Sequence, residues 1–90
     1  MRLTFDPAKN MRNIALRGLS FELVADLEWT TAVTAEDMRQ DYGERRLQVL
    51  AKLGNRVHVA VITQRGDAVH VISFRKANAK EVRRYETAAL

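Results

Sequence analysis

Two dipeptides, Gly54-Asn55 and Gly66-Asp67, do most to restrict what this chain can become. They separate three runs rich in apolar and β-branched residues, 45–53, 56–64 and 68–76. Each dipeptide fits the two-residue loop of a tight hairpin, in which glycine supplies the positive φ that other residues resist, so the second half reads as a three-stranded antiparallel meander. A two-residue loop also fixes register. Pairing Leu53 with Arg56 places Val49 opposite Ala60 and Leu47 opposite Ile62. One sheet face then carries Leu47, Val49, Ala51, Ala60 and Ile62, apolar enough to lie under helices. The other carries Glu44, Arg46, Gln48, Leu50, Val57, Val59, Val61, Thr63 and Arg65, and reads as the working surface. A two-residue second turn adds His70, Ile72, Phe74 and Lys76 to it, whereas a three-residue loop adds Ser73 and Arg75. The sequence leaves that choice open.

Ninety residues bound the rest, since a chain of this length supports one core and reads as a single domain over 1–90. Cysteine is absent, which excludes disulfides, thiolate metal sites and thiol catalysis, and fits a reducing, cytoplasmic setting. No apolar run is long enough to cross a membrane, and Asp6-Pro7 interrupts the N-terminal stretch where a signal peptide would be greasiest, so a soluble protein is expected.

Leu3 and Phe5 alternate with polar neighbours as in a short strand. Asp6 can then cap a helix in which Pro7 takes the first position, where its missing N–H is harmless. Ala8, Met11, Ile14 and Ala15 share one side of that helix and read as a core stripe, with Met38 also read as core. Gly18 suits the left-handed cap, and Ser20 can start a second helix whose stripe is Phe21, Val24, Ala25 and Leu27 or Leu23, giving a helical hairpin over 7–28. Residues 31–34 suggest a further short strand, followed by an acidic stretch with Glu36, Asp37 and Asp41. Asn78 and Glu81 form a capping box for a last helix, with Val82, Tyr85 and Ala89 along one side. The fold class is α+β: a small antiparallel sheet of about four strands, the N-terminal hairpin on one face, and a C-terminal helix.

Charge is unevenly spread. Residues 1–43 carry five basic and seven acidic side chains, residues 44–90 ten and four, and eleven of the fifteen cations are arginine. Guanidinium groups pair bidentately with phosphate oxygens, so a polyanion such as nucleic acid is the natural partner. No metal-ligand spacing, glycine-rich phosphate loop or serine nucleophile turn occurs, so neither metal nor cofactor is expected.

The order and spacing of FDPAKN (5–10), Asn13, GLSFE (18–22), YGERR (42–46), Gly54, Arg56, TQRG (63–66), ISFRKA (72–77), Glu81 and Tyr85 resemble the BrnT ribonuclease toxins of bacterial type II toxin–antitoxin systems. The resemblance covers nearly the whole chain. It implies a fold similar to RelE-type toxins, metal-independent cleavage of mRNA that inhibits translation, and neutralisation by a BrnA-like antitoxin, with a homodimer or larger assembly left open. Two positions depart from the family pattern. Leu16-Arg17 stands where Lys-His is usual, and His70 where an arginine usually opens the last strand. A general-base role of the missing histidine is therefore not carried over.

Metal-free RNA cleavage needs a proton acceptor, a proton donor and stabilisation of a charged phosphorane as the 2′-hydroxyl attacks its own phosphate. Arg65 and Arg75 are candidates for phosphate stabilisation, with Lys76, Glu44 and His70 as proton-handling or orienting groups. Arg46, Arg17 and Tyr85 are candidates for RNA binding, although Tyr85 also suits packing and His58 suits a satisfied, half-buried ring. Val57, Val59, Val61, Ile72 and Phe74 would leave an apolar surface for the antitoxin. A catalytically inactive RNA- or protein-binding module and an interaction domain for an acidic protein are the competing readings.

Overall fold

The computed structural model describes residues 1–88. Its elements run β1 (Leu3–Phe5), α1 (Pro7–Arg17), a 3-10 helix (Phe21–Asp26), a short 3-10 turn (Trp29–Thr31), β2 (Val33–Glu36), β3 (Arg46–Leu53), β4 (Arg56–Arg65), β5 (Ala68–Lys76) and α2 (Ala79–Ala88). Together they form one five-stranded mixed sheet in the order β1-β5-β4-β3-β2. The sheet thus has five strands rather than four, and it is not wholly antiparallel. β1 pairs in parallel with β5, setting Leu3 against Val69 and Phe5 against Val71.

The first hairpin has the register its turn dictates, with Leu53 opposite Arg56 and Leu47 opposite Ile62. Between β4 and β5 the turn is again two residues, Arg65 facing Ala68, but the ladder does not continue evenly. Ile62 pairs with Val71 and Val61 with Ser73, so Ile72 is an extra, unpaired residue. Such a bulge reverses which face every later side chain takes. His70 therefore shares a face with Thr63, while Ser73 and Arg75 share it with Val61 and Val59. Phe74 and Lys76 go to the opposite face, beside Ala60 and His58. Neither sequence alternative described the whole strand, because each assumed unbroken alternation.

One face is covered by the N-terminal segment. Phe21, Val24 and Leu27 pack there on Val49, Ala51, Ala60, Ile62, Val71 and Phe74. Their spacing of three matches a 3-10 helix, whose side chains align every third residue, and Ser20 Oγ caps it by accepting from Glu22 N. The expected hairpin of two α-helices is thus one α-helix followed by a 3-10 segment. Residues 33–36, not 31–34, form the short strand.

The α1 helix begins and ends as its sequence requires: Asp6 accepts from Ala8 N, and Gly18 adopts φ 68° at the C-cap. Its packing is inverted, however. None of its residues is fully buried, and the supposed core stripe faces water, with Met11 and Ile14 65% and 40% exposed. Asparagines dock the helix instead. Asn13 Nδ2 donates to the carbonyls of Leu19 and Phe74 at 2.9 and 3.0 Å, and Asn10 Oδ1 accepts from Phe21 N at 2.7 Å. Met38 is also solvent-exposed rather than part of the core.

The second face is covered by α2. Leu50, Val57, Val59, Ala77 and Tyr85 form a separate buried cluster there, with Val33 and Val82 against it. Val57, Val59, Val61 and Phe74 are all buried and Ile72 is half-buried, so these five do not make the open apolar face expected of an antitoxin surface. Tyr85 is buried in the α2 cluster, which removes it from RNA stacking. Ala89 lies outside the described residues.

The capping box at the start of α2 is formed reciprocally, Asn78 N to Glu81 Oε1 and Glu81 N to Asn78 Oδ1, both 2.9 Å. Arg75 grips the same carboxylate with two parallel bonds of 2.8 Å, which holds Glu81 down to about 2 from an ordinary 4.5. A depressed carboxylate stabilises the fold fully above its unfolded pKa and loses that contribution as pH falls through the folded value. Glu81→Gln should therefore destabilise by about 1–2 kcal/mol at neutral pH, a figure reduced because Arg75 is partly exposed. In paired thermal melts, the gap between the original and substituted chains should close as pH falls from about 4.5 towards 2.

Candidate nucleic-acid interface

The α2 helix covers only one end of its sheet face. Towards the other end the cross-strand partners Arg46, Thr63, His70 and Thr4 form a row across β3, β4, β5 and β1, and Arg65 lies two residues beyond Thr63. Directly opposed residues stand about 4.5–5.5 Å apart, so this row is a compact patch rather than a scatter of charges. Glu44, just before β3, bridges the two arginines. Its carboxylate is 3.4 Å from Arg65 Nη2 and 3.6 Å from Arg46 Nη2.

These contacts are long for charge-assisted hydrogen bonds, which favour 2.7–2.9 Å. Glu44 thus orients the two guanidinium groups without saturating them, and about half of the Arg65 side chain is exposed. Arg46 lies over the Tyr42 ring at 3.9 Å, and its Nε is buried with no hydrogen-bond partner among the described residues. Tyr42 is itself tethered by its hydroxyl, which donates to Asp37 Oδ2 at 3.2 Å. Arg39 clamps Asp37 from the other side with two 2.8 Å bonds and holds its carboxyl at about 2. The acidic stretch before β3 therefore organises the site: Arg39 fixes Asp37, Asp37 fixes Tyr42, and Tyr42 fixes Arg46.

His70 is half-buried, with Nδ1 2.8 Å from Thr4 Oγ1. Burial pushes its pKa below the ordinary 6.5, and the charge of Arg65 lowers it further. A neutral imidazole with Nδ1 engaged keeps Nε2 for proton transfer near neutral pH.

The remaining sequence candidates go elsewhere. Arg75 is on the same face but opposite Val59, six residues along β4 from Arg65, or about 20 Å at the usual strand rise. Its bidentate grip on Glu81 makes it an anchor for α2 rather than a free phosphate ligand. Lys76 is on the opposite face because of the bulge, beside a shallow cavity shared with Leu19 and Arg17. Arg17, at the end of α1, thus does not join Arg46. His58 is buried against Phe74, its ring stacked at 5.3 Å, and its Nδ1 lies 2.8 Å from the Arg56 carbonyl. Sequence reasoning put Thr63 on the working face but did not single out Tyr42, Thr4 or Asp37 as parts of the candidate site. Tyr42 had a readable signal, since it lies four residues before Arg46 in the YGERR segment.

No three His, Asp or Glu side chains converge as a metal site among the described residues. None of their helices is long and apolar enough to cross a membrane. The arrangement has groups of the kind that phosphodiester chemistry needs: two guanidinium groups for charge and an imidazole for a proton. The model of the family described as the ribonuclease toxin, BrnT, of type II toxin-antitoxin systems matches residues 5–81, and the chain belongs to that family. No curated protein matches it.

Removing Arg65 removes a positive charge that disfavours protonation of His70. In Arg65→Ala the His70 pKa should therefore rise towards 6.5, as followed by the imidazole proton NMR shifts, while His58 serves as an internal control.

Proposed function

We propose that this chain is a single-domain toxin, spanning residues 1–90 and acting in the cytoplasm, that cleaves mRNA without a metal ion and thereby inhibits translation. A BrnA-like antitoxin neutralises it. Family membership supports the ribonuclease reading. The observation that carries the site assignment is the juxtaposition of Arg65, Arg46 and His70 on the part of the sheet that α2 leaves uncovered.

In this reading the scissile phosphate displaces the long contacts to Glu44 and takes paired hydrogen bonds from Arg65 and Arg46. His70 Nε2 accepts the proton of the attacking 2′-hydroxyl, whose oxygen bonds to phosphorus. The P–O5′ bond breaks, the 5′-oxygen takes a proton from solvent water, and a 2′,3′-cyclic phosphate remains. Glu44 is a positioning residue that keeps both guanidinium groups aimed at one point. Preorganised charge of this kind can lower a barrier by several kcal/mol, about 2.7–4 for a single well-placed donor.

Incubation of the purified chain with RNA in excess chelator tests the proposal. Fragments ending in 2′,3′-cyclic phosphate are expected, with cleavage falling about 100-fold or more in Arg65→Ala and changing little in Arg17→Ala. The cleavage rate should rise with pH through a pKa below 6.5 and then level off, following deprotonation of His70. RNA that binds in a salt-dependent way yet stays intact would favour the inactive binding module instead, a reading motivated by Leu16-Arg17 in place of Lys-His.

A further inference from the structure

The proposed chemistry leaves the groove beside α1 without a role. Hydrogen bonds from Asn13 to the carbonyls of Leu19 and Phe74 set α1 against β5, just past Val71, where β1 stops pairing with that strand. Between helix and strand lies a cavity of about 190 Å³, whose lining includes Lys9, Arg12, Leu16 and Arg17 of α1 and Ile72 and Ser73 of β5. At about 100° per residue, Lys9, Arg12 and Leu16 share an arc of about 60°, so they face the cavity from one side of the helix. The lining holds three cations and no carboxylate. None of the three is in an ion pair among the described residues. Ser73 is exposed and shares a face with His70, since their partners Val61 and Thr63 are alternate residues of β4. The charge of Lys9 reaches His70, so the cavity adjoins the candidate site.

We propose that this cavity is the subsite for the RNA strand on the 5′ side of the cut, with Lys9 and Arg12 holding an upstream phosphate. The proposal deepens the ribonuclease reading and rests on it. Reaction chemistry sets the direction of the strand. The attacking 2′-hydroxyl belongs to the nucleotide 5′ of the scissile phosphate, so that ribose lies at His70. The departing 5′-oxygen stands roughly in line on the far side of phosphorus, away from the imidazole. The upstream strand therefore continues from His70, where two courses are open to it. Over β1 it meets Arg2, whose guanidinium is already held by Asp67. Along β5 it meets the unpaired Lys9 and Arg12, about 4.5 Å apart along the helix axis, with the Ser73 hydroxyl as a further donor. Unpaired cations take up phosphate by releasing its counterions, which favours the second course. Leu16 and Ile72 offer apolar contact to a sugar or base there. Asp6, whose charge also reaches His70, is engaged in capping α1. Arg17, about 12 Å along the axis from Lys9, lies beyond the first upstream phosphate.

The test compares synthetic RNAs built around the strongest cut mapped in an mRNA transcript. Two of them end shortly past the cut; one carries a single nucleotide before it and the other a short upstream run. The longer RNA should have a KM lower by about fivefold or more at about 50 mM salt, and raising the salt should shrink that gain. Arg12→Glu should abolish it. A third RNA, extended past the cut instead, should keep whatever gain it shows in Arg12→Glu. Arg83→Glu makes the same charge change on α2, away from the cavity, and should leave the upstream gain in place. A reading that does not depend on the variants folding comes from the unaltered chain. With 2′-deoxyribose at the cut, which removes the nucleophile, the longer RNA should shift the amide NMR signals of Lys9, Arg12 and Ser73, and the shorter one should not. An upstream gain that survives in Arg12→Glu, or unmoved signals at these residues, overturns the subsite while leaving the ribonuclease reading intact. Loss of the upstream and downstream gains together marks long-range charge alone and also overturns it. Cleavage of no RNA by the unaltered chain removes the ribonuclease reading, and this inference with it.

Discussion

Strand β4 is buried on both of its faces from Val57 to Thr63, and this single constraint organises the molecule. A strand so enclosed needs cover above and below. The chain supplies it unequally: the 3-10 segment and its neighbours fill one side, while α2 fills only part of the other. Beyond the end of α2, that second side is where Arg46, Thr63, Arg65 and His70 gather. The candidate site is thus a consequence of the cover being shorter than the sheet.

Two arginine–carboxylate contacts of different quality separate structure from function. Arg75 and Glu81 meet in two short parallel bonds, join the end of β5 to the start of α2, and leave the guanidinium little capacity for a ligand. Arg65 and Arg46 share one carboxylate at longer range and keep donors free. A bidentate pair is rigid and geometrically specific, whereas a stretched one yields to a phosphate that offers better geometry. The same residue type thus clamps a carboxylate in one place and leaves donors open in another.

The bulge at Ile72 gives the two faces their separate chemistry. Without it Lys76 would lie on the same side as His70, and Arg75 would point away from α2 and lose its carboxylate. One unpaired residue therefore assigns the anchoring arginine to the face of α2 and removes Lys76 from the face that carries His70, whose own side is set by the two-residue turn. Bulges that redirect side chains near functional surfaces are a recurrent device in small sheets.

The sequence by itself determined what depends on a few adjacent residues: the two hairpin turns, the register of β3 on β4, the caps of α1 and α2, and an excess of arginine in the second half. Hydrogen bonds and φ restrictions within a turn act over so short a span that residue identity is enough. Only the tertiary structure decided the parallel pairing of β1, the switch of faces at Ile72, the burial of Val57 and Val59 beneath α2, and the outward turn of Met11 and Ile14. Each of these is set by partners far apart in the chain, as Asn13 and Phe74 are at 61 residues. A periodic pattern shows that a helix has an apolar side, but what that side meets depends on which distant groups satisfy its polar one.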